Sequence, residues 1–345
     1  GVGEVGLLTG DSSINGDAPI VVMTTEVLRN MVYSNPEAIE DLGYVVMDEV
    51  HYLADKFRGA VWEEILIHLP ERIQIVSLSA TVSNVEEFGE WLKTVRGETD
   101  IVLSELRPVP LYQHILIGNR LLDMFVDDGR VNPEIVRLER NSQRKIPGGT
   151  GRSHTARDRQ FSTIKSLTRP EIVEKLRHTQ YLPAIFFIFS RAGCDAAVMQ
   201  CIREGLSLTN AEEKEEIRKV IAFQARELPT EDFGVLNFYE WCQSLERGIA
   251  SHHAGLLPMF KETVETLFQR GLLKIVFATE TLALGINMPA RTVVLEKLIK
   301  WNGETHTVIT PGEYTQLTGR AGRRGIGRDG IDRLPAIPGG AVDVA

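Results

Sequence analysis

Two adjacent carboxylates, Asp48 and Glu49, directly follow a run of four apolar residues, Tyr44–Met47. Gly43 bounds the run on its other side, and this pattern predicts a buried strand of a parallel sheet. Ligands of open α/β sheets bind in the crevice at the carboxyl ends of the strands. Two carboxylates at that place are suited to hold a metal ion and to activate a water molecule. A solvated acidic turn gives the same short pattern, so other parts of the chain must decide between the two interpretations.

A second informative stretch, residues 316–325, carries Arg320 and Arg323 among small residues. The small residues let the backbone turn tightly, and two arginines three positions apart project from one side of a helical turn. Guanidinium groups at that spacing suit phosphate oxygens. Taken alone, a basic surface loop explains this stretch equally well.

The elements that position these residues follow from the alternation of apolar runs with amphipathic segments. In the first part of the chain we predict strands at 19–23, 44–47, 73–78 and 101–103, and helices at 24–33, 61–69 and 85–92. In the second part we predict strands at 184–189, 249–252, 273–278 and 292–295, and helices at 190–204, 211–228, 258–270 and 312–318. This alternation is typical of parallel sheets covered by helices, and it indicates an α/β protein with two units in tandem.

The two units are separated by a stretch of different character. Residues 137–169 contain nine Lys or Arg against two acidic residues, with a Pro-Gly-Gly-Thr-Gly segment inside. Such a composition is typical of a flexible basic insertion. We therefore expect a first domain at 1–108, a linker with this insertion at 109–180, a second domain at 181–325, and an irregular Gly- and Pro-rich tail at 326–345.

Composition and charge narrow the class of protein. The net charge of −9 argues against a protein coated in basic surface, although a local cleft can still hold nucleic acid. Cys194, Cys201 and Cys242 lack a CxxC spacing, so we expect free buried thiols rather than a zinc site or disulfides. No apolar run approaches membrane-spanning length, and we expect a cytoplasmic protein without membrane contact.

Three motifs in a fixed order resemble those of the DExH-box (DEVH) helicases of superfamily 2. They are Asp-Glu-x-His at 48–51, Ser-Ala-Thr at 79–81 and Gln-x-x-Gly-Arg-x-Gly-Arg at 316–323. Segments 189–195, 251–256 and 279–289 are similar to further motifs of the superkiller-like branch and of its actinobacterial members. The resemblance implies two tandem RecA-like domains with ATP in the cleft between them. It also implies an ATP-dependent helicase that translocates on and unwinds RNA in RNA decay or processing.

The resemblance further implies a role for each motif residue. Asp48 would hold Mg²⁺ through water, Glu49 would orient or deprotonate the attacking water, and His51 would sense the nucleotide. The other residues expected near ATP are Gly285, Asn287, Gln316, Arg320 and Arg323, the two arginines acting as arginine fingers on the γ-phosphate. Ser79 and Thr81 would couple hydrolysis to strand movement. Thr24, Thr25 and Thr279 would hold the phosphates of a single strand without reading its bases, and for each of these hydroxyls a helix cap is the structural alternative.

The sequence departs from the family pattern in one place that bears on activity. It contains no Gly-x-x-x-x-Gly-Lys-Ser/Thr loop, whose N–H groups and lysine cradle phosphates. In the family this loop precedes the motifs named above, so we expect an N-terminally truncated first domain and an inactive isolated chain. A DNA-repair helicase of the related branch and a catalytically silent nucleic-acid-binding fragment are the alternatives. The partners expected are RNA, or DNA under the first alternative, and RNA-decay machinery, with the protein itself a monomer.

Overall fold

The computed structural model describes residues 5–34, 36–50, 53, 59–79, 85–104, 110–126, 129–143, 167–283, 288, 290–301, 305–321 and 339–344. The chain divides into two compact units, Gly1–Glu105 and Leu106–Ala345, called unit 1 and unit 2 below. Both are α/β units with parallel sheets, as the sequence predicts. No helix in the described part of the chain combines the length and apolar character needed to cross a bilayer.

Unit 1 contains two small sheets within its described residues. Its strands are β1 (Val5–Leu8), β2 (Ser13–Ile14), β3 (Ile20–Met23), β4 (Tyr44–Met47) and β5 (Gln74–Ser77), and its helices are α1 (Thr25–Ser34), α2 (Gly59–His68) and α3 (Val85–Arg96), with a 3₁₀ turn at Pro36–Ile39. β1 pairs with β3 in parallel and with β2 antiparallel, and β4 pairs with β5 in parallel. The core packs α2 against β4 through Trp62, Ile65, Leu66, Val45 and Met47.

One face of the unit 1 strands is apolar and exposed. In β4, Val45 and Met47 are buried in the core, whereas Tyr44 and Val46 are 68% and 63% exposed. The prediction of a strand buried on both faces is therefore wrong for Tyr44 and Val46. Successive side chains of a strand point to opposite faces, and in the described residues the helices of unit 1 cover only one of them.

The strand predicted at 101–103 is also wrong. Residues 101–104 have no regular structure, and Val102 is 92% exposed. A short β-branched run becomes a strand only where a neighbouring strand pairs with its backbone, and no described strand pairs with this one.

Unit 2 is built on one seven-stranded sheet in the order β7-β6-β14-β11-β8-β10-β9. Its strands are β6 (Leu111–Ile117), β7 (Arg120–Asp123), β8 (Ala184–Phe187), β9 (Ile249–His252), β10 (Ile275–Ala278), β11 (Thr292–Leu295) and β14 (Gly339–Val344). Neighbours in the sheet are parallel except for β7, which pairs antiparallel with β6. A separate antiparallel hairpin joins β12 (Ile299–Trp301) to β13 (His306–Val308).

Helices bury both faces of this sheet. Those that contribute to its core are α5 (Arg169–His178), α6 (Arg191–Arg203), α7 (Ala211–Gln224), α8 (Phe238–Glu246), α9 (Pro258–Gln269) and α10 (Pro311–Thr318), and unit 2 also contains α4 (Pro133–Gln143). In β8, Ile185 and Phe187 enter one core cluster while Ala184 and Phe186 enter the other, and all four side chains are fully buried. The continuous apolar run at 184–187 is explained by this double coverage.

Regular structure also occurs where the sequence predicts none. β6 and β7 lie within the range 109–180 assigned to a linker, and β14 lies within the range 326–345 assigned to an irregular tail. β7 forms a local antiparallel hairpin with β6, whereas β6 and β14 pair with each other across a long stretch of sequence, and β14 also pairs with β11. Most of the basic insertion, residues 144–166, falls outside the described residues.

The cysteines are free thiols, as predicted. Burial raises the pKa of Cys194 and Cys201 to about 12 and that of Cys242 to about 11. At neutral pH the three side chains therefore pack as neutral thiols.

Candidate functional site

In unit 1, the residues after β4 and β5 share one edge of the sheet. Met47 lies opposite Ser77 in the parallel register, so Asp48 and Ser79 both follow the carboxyl ends of paired strands. Backbone hydrogen bonds extend this pairing beyond the strands, since the N–H of Leu78 donates to the Met47 carbonyl at 2.8 Å. The N–H of Val50 donates in turn to the Leu78 carbonyl at 2.9 Å. The segment carrying Asp48 and Glu49 is thus fixed on both sides.

The turn after β4 has an unusual backbone at Glu49. Its φ is 57°, in the left-handed region that non-glycine residues seldom adopt. Its N–H donates to Oδ1 of Asp48 at 2.9 Å. A left-handed non-glycine residue costs about 1–3 kcal/mol and is found preferentially at functional sites. The turn therefore fixes the backbone at Glu49 and the carboxylate of Asp48 at the edge of the sheet.

The Asp48 carboxylate fits the ligand pattern of Mg²⁺ in phosphate-processing sites. Such sites bind Mg²⁺ through one or two carboxylates, completing the octahedron with water and substrate phosphates. Asp48 is exposed and Glu49 half-buried, so both are accessible at the sheet edge. Among the described residues no group of three or more His, Cys, Asp or Glu forms a metal site made by protein alone.

The other predicted residues of unit 1 lie at the carboxyl ends of its strands or outside the described residues. Ser79 is exposed after β5, and His51 and Thr81 fall outside the described part of the chain. Thr24 follows β3, and its carbonyl accepts the N–H groups of Val27 and Leu28 at 3.1 and 3.2 Å. The backbone of Thr24 therefore occupies the N-cap position of α1, while its exposed side chain is at the sheet edge.

Thr25, the first residue of α1, is half-buried. Its hydroxyl donates to Oε2 of the neighbouring Glu26 at 3.3 Å. The structure thus gives the two threonines different local roles.

In unit 2, β8, β9 and β10 are adjacent and parallel, so their carboxyl ends also share an edge. Thr279 follows β10, and its N–H donates to the His252 carbonyl at 3.2 Å. Its Oγ1 lies 2.9 Å from Oγ1 of Thr281, and its side chain is buried. Gly285 and Asn287, further along this segment, are outside the described residues.

Buried histidines at this edge are held by acidic partners. Nε2 of His252 lies 2.9 Å from Glu265, and burial lowers the pKa of His252 although the glutamate opposes that effect. Nε2 of His253 lies 3.1 Å from Asp195, which also accepts the Ser251 hydroxyl at 2.8 Å. These contacts fix the segment that carries motif residues 251–256.

Helix α10 positions Gln316 and Arg320. Thr310 caps it, accepting the Glu313 N–H at 3.2 Å, and Pro311 occupies its first position. Gln316 lies in the last turn of the helix, and Arg320 follows its C-cap residue, Gly319. Gly319 is required between them because a Cβ there would lie 2.8 Å from the Thr315 carbonyl oxygen.

Arg320 is only 4% exposed, and its carbonyl accepts the Ala290 N–H at 3.1 Å. Its backbone is therefore tied to the segment that enters β11. Arg323 lies outside the described residues.

Sequence reasoning missed Lys300 on strand β12. Its Nζ lies 2.8 Å from Oε2 of Glu280 and 2.5 Å from Oε1 of Glu313. The three residues are separated by 20 and 13 positions, and no periodic pattern in the sequence connects them. Only the fold of unit 2 brings them together.

Comparison with known proteins gives two family matches and several close relatives. Residues 7–88 match the model for DEAD/DEAH box helicase, and residues 197–325 match the model for the helicase conserved C-terminal domain. The chain is 56% identical to the probable helicase HelY of Mycobacterium leprae, over 96% of this chain and 37% of that protein.

Two eukaryotic relatives are more distant. The chain is 42% identical to the chloroplastic DExH-box ATP-dependent RNA helicase DExH15 of Arabidopsis thaliana, over 96% of this chain and 31% of that protein. It is 40% identical to superkiller complex protein 2 of Mus musculus, over 94% of this chain and 27% of that protein. The chain thus spans roughly a third of the length of the curated relatives it matches.

Proposed function

Because the chain belongs to the superkiller-like DExH-box helicases of superfamily 2, we propose that it forms the motor core of an ATP-dependent RNA helicase. In this function ATP hydrolysis drives translocation along RNA and separation of its strands. The observation that carries the proposal is the turn after β4, where the strained Glu49 and Asp48 are fixed at the carboxyl edge of the sheet.

The residues of this turn account for the hydrolytic step. Mg²⁺, when bound, would neutralise developing charge on the phosphates, and Asp48 would hold it. Glu49 would orient or deprotonate the attacking water, which requires a carboxylate of fixed position. The hydrogen bond from the backbone N–H of Glu49 holds the Asp48 carboxylate against the turn.

Residues of unit 2 would complete the cycle. Arg320, and with it Arg323, would stabilise charge on the γ-phosphate, and such a finger is worth about 10³–10⁵ in rate. Gln316 lies in the last turn of α10 and Arg320 directly after its C-cap, and this closeness along the chain supports a shared role at the nucleotide. Thr279, together with Thr24 and Thr25 of unit 1, would contact the phosphate backbone of the single strand.

RNA is the substrate we favour because one of the close relatives is named as an RNA helicase. The similarity to superkiller complex protein 2 supports a further proposal, that the complete protein acts in RNA decay or processing. A DNA helicase is the competing function. Its ATP hydrolysis would be stimulated by DNA, and it would separate DNA duplexes.

The test uses the complete gene product that contains this chain. Phosphate release from ATP with Mg²⁺ is measured alone, with single-stranded RNA and with single-stranded DNA, and strand separation is followed on matched RNA and DNA duplexes. We expect stimulation and unwinding with RNA. Activity confined to DNA would establish the competing function, and the absence of ATP hydrolysis under all three conditions would refute the motor function.

A further inference from the structure

Lys300 forms an ionic bridge inside unit 2 that the motif residues do not include. Its Nζ contacts Glu280 at 2.8 Å and Glu313 at 2.5 Å, and its side chain is only 17% exposed. A surface ion pair of one lysine and one glutamate contributes little to stability. Here one half-buried ammonium holds two carboxylates from two different elements.

The two carboxylates belong to the elements that carry the proposed RNA and ATP contacts. Glu280 begins the 3₁₀ helix Glu280–Ala283, immediately after Thr279 at the end of β10. Glu313 lies in the first turn of α10, the helix that leads to Arg320. Lys300 itself lies on the hairpin strand β12 and is therefore anchored on a third element.

Glu313 serves the bridge and the helix cap at once. Its Oε2 accepts the Thr310 N–H at 2.7 Å, while its Oε1 binds Lys300. A displacement of the 3₁₀ helix that moves Lys300 thus acts directly on the first turn of α10. In addition, α10 packs against the 3₁₀ helix, so the bridge spans a contact that already exists.

The electrostatics favour a fully charged bridge at neutral pH. Burial disfavours the charge on Lys300, but its hydrogen bonds to Glu280 and Glu313 outweigh that effect and raise its pKa. Burial also disfavours the charge on Glu313, but the hydrogen bonds from Lys300 and Thr310 and the charge of Lys300 together outweigh it and lower the pKa of Glu313. Without the ammonium, two carboxylates would face each other across the contact, and like charges at short range repel.

We propose, on the premise of the helicase function proposed above, that Lys300 is a positioning residue that couples the RNA-contacting end of β10 to the helix bearing Gln316 and Arg320. Binding of RNA at Thr279 shifts the 3₁₀ helix, and the bridge transmits this shift to α10. By the same route, nucleotide bound near Arg320 changes the affinity for RNA. Lys300 touches neither ligand.

Thermodynamic linkage tests this coupling, because the effect of one ligand on the affinity for the other must be equal in both directions. The dissociation constant of a labelled single-stranded RNA is measured with and without a non-hydrolysable ATP analogue and Mg²⁺, on the complete gene product. The reverse titration, analogue binding with and without RNA, must give the same factor. We expect the wild-type factor to be about five-fold or more, the range of typical couplings, and to fall close to one in Lys300→Met.

The chain offers a closely matched control in Lys274. Its Nζ contacts Oε1 of Glu213 at 2.7 Å, and Oε2 of Glu213 accepts the Asn210 N–H in the capping box of α7. The pair is about as buried as the Lys300 pair, but Lys274 precedes the opposite end of β10 from Thr279, and Glu213 lies in a helix without a proposed ligand contact. We expect Lys274→Met to keep the wild-type linkage factor, and Lys300→Arg to restore it.

The outcomes separate failure of this inference from failure of the motor function. A wild-type protein without ATP hydrolysis or linkage refutes the motor function itself. Wild-type linkage that persists in Lys300→Met, or that is lost equally in Lys274→Met, overturns the role of Lys300. If Lys300→Met fails to fold, Glu280→Gln takes its place, because it removes only the ion pair between Lys300 and the more exposed glutamate. Full linkage in that variant would equally overturn the inference.

Discussion

The backbone N–H of Glu49 donates a 2.9 Å hydrogen bond to the carboxylate of Asp48, while Glu49 itself has a φ of 57°. The left-handed conformation turns the chain sharply at the end of β4, and the hydrogen bond stabilises that turn. Because Val50 is bonded in turn to Leu78, relaxation of Glu49 would disturb the hydrogen bond that continues the pairing beyond β4 and β5. The strain is therefore retained beside the two carboxylates that we propose act on ATP.

Replacing the Glu49 carboxylate should slow ATP hydrolysis without weakening ATP binding. We expect Glu49→Gln in the complete gene product to lower ATP turnover by about 10²–10⁴-fold, the contribution of a general base, with ATP affinity nearly unchanged. Phosphate release and nucleotide titration measure the two effects. Turnover within a few-fold of wild type would contradict the role assigned to Glu49.

Glu49→Gly is a useful companion because glycine adopts a positive φ without strain. This variant should be as inactive as Glu49→Gln yet no less stable, since relief of about 1 kcal/mol of strain offsets the added freedom of the unfolded chain. Thermal unfolding compares the two variants. A large loss of stability in Glu49→Gly would show that the side chain, rather than the turn, is the structural element.

The sequence predicts the positions of Asp48, Ser79, Thr279 and Gln316 well because each follows a local signal. Apolar runs mark β4 and β10, alternating apolar residues mark β5, and a Thr-Pro start marks the helix of Gln316. The structure confirms β4, β5, β10 and α10 close to the predicted bounds. The order of the motifs along the chain indicates the helicase family, and the comparisons confirm it.

Features set by distant pairing were not predictable. β6 and β14 are strands because each pairs with the other, across more than 200 positions, and their local composition indicates a linker and a tail. The bridge of Lys300 likewise depends on three elements meeting in space. One-sided burial of β4 was missed because four apolar residues look the same whether one face or both are covered.

Gly312 in the first turn of α10 and Gly319 at its C-cap should respond in opposite ways to substitution by alanine. A Cβ on Gly319 would lie 2.8 Å from the backbone oxygen of Thr315, whereas a Cβ on Gly312 meets only Oγ1 of Thr310 at 3.9 Å. We expect Gly319→Ala to destabilise by about 1–3 kcal/mol, because the helix end must shift. Gly312→Ala should be neutral or stabilising by about 0.5–1 kcal/mol.

Denaturant unfolding measures both glycine variants, and ATP turnover gives a second readout. Because Arg320 follows Gly319 directly, Gly319→Ala should also lower turnover, and Gly312→Ala should not. Equal stability of the two variants would show that the end of α10 tolerates a side chain.

The bridge of Lys300 predicts a pH dependence of stability. The pKa of Glu313 is lowered in the folded protein, so its contribution is present above the unfolded-state pKa and is lost as pH falls through the folded-state pKa. The pKa of Lys300 is raised in the folded protein. Its contribution to stability is therefore lost only as pH rises through this folded-state pKa, above the ordinary lysine range.

The stability difference between wild type and Lys300→Met should therefore be constant near neutral pH and shrink in acid. Unfolding free energies measured from pH 7 down to the acid limit of folding test this directly. Lys274→Met is the matched control, since the pKa of Glu213 is lowered by Lys274 in the same direction. A difference that grows on acidification would contradict a charged bridge.

The exposed apolar face of unit 1 leads to a prediction about adjacent residues of one strand. Val45 is 8% exposed and Val46 63% exposed, so the same substitution should have opposite consequences at the two positions. Val45→Thr places a hydroxyl in the core and should cost about 1–3 kcal/mol of stability. Val46→Thr removes apolar surface from the open face and should change stability by less than about 0.5 kcal/mol.

On the 345-residue chain itself, Val46→Thr should also reduce binding of a hydrophobic dye and slow aggregation, because large exposed apolar patches promote association. Equal stability loss at both positions would mean that the Val46 side chain is covered in solution.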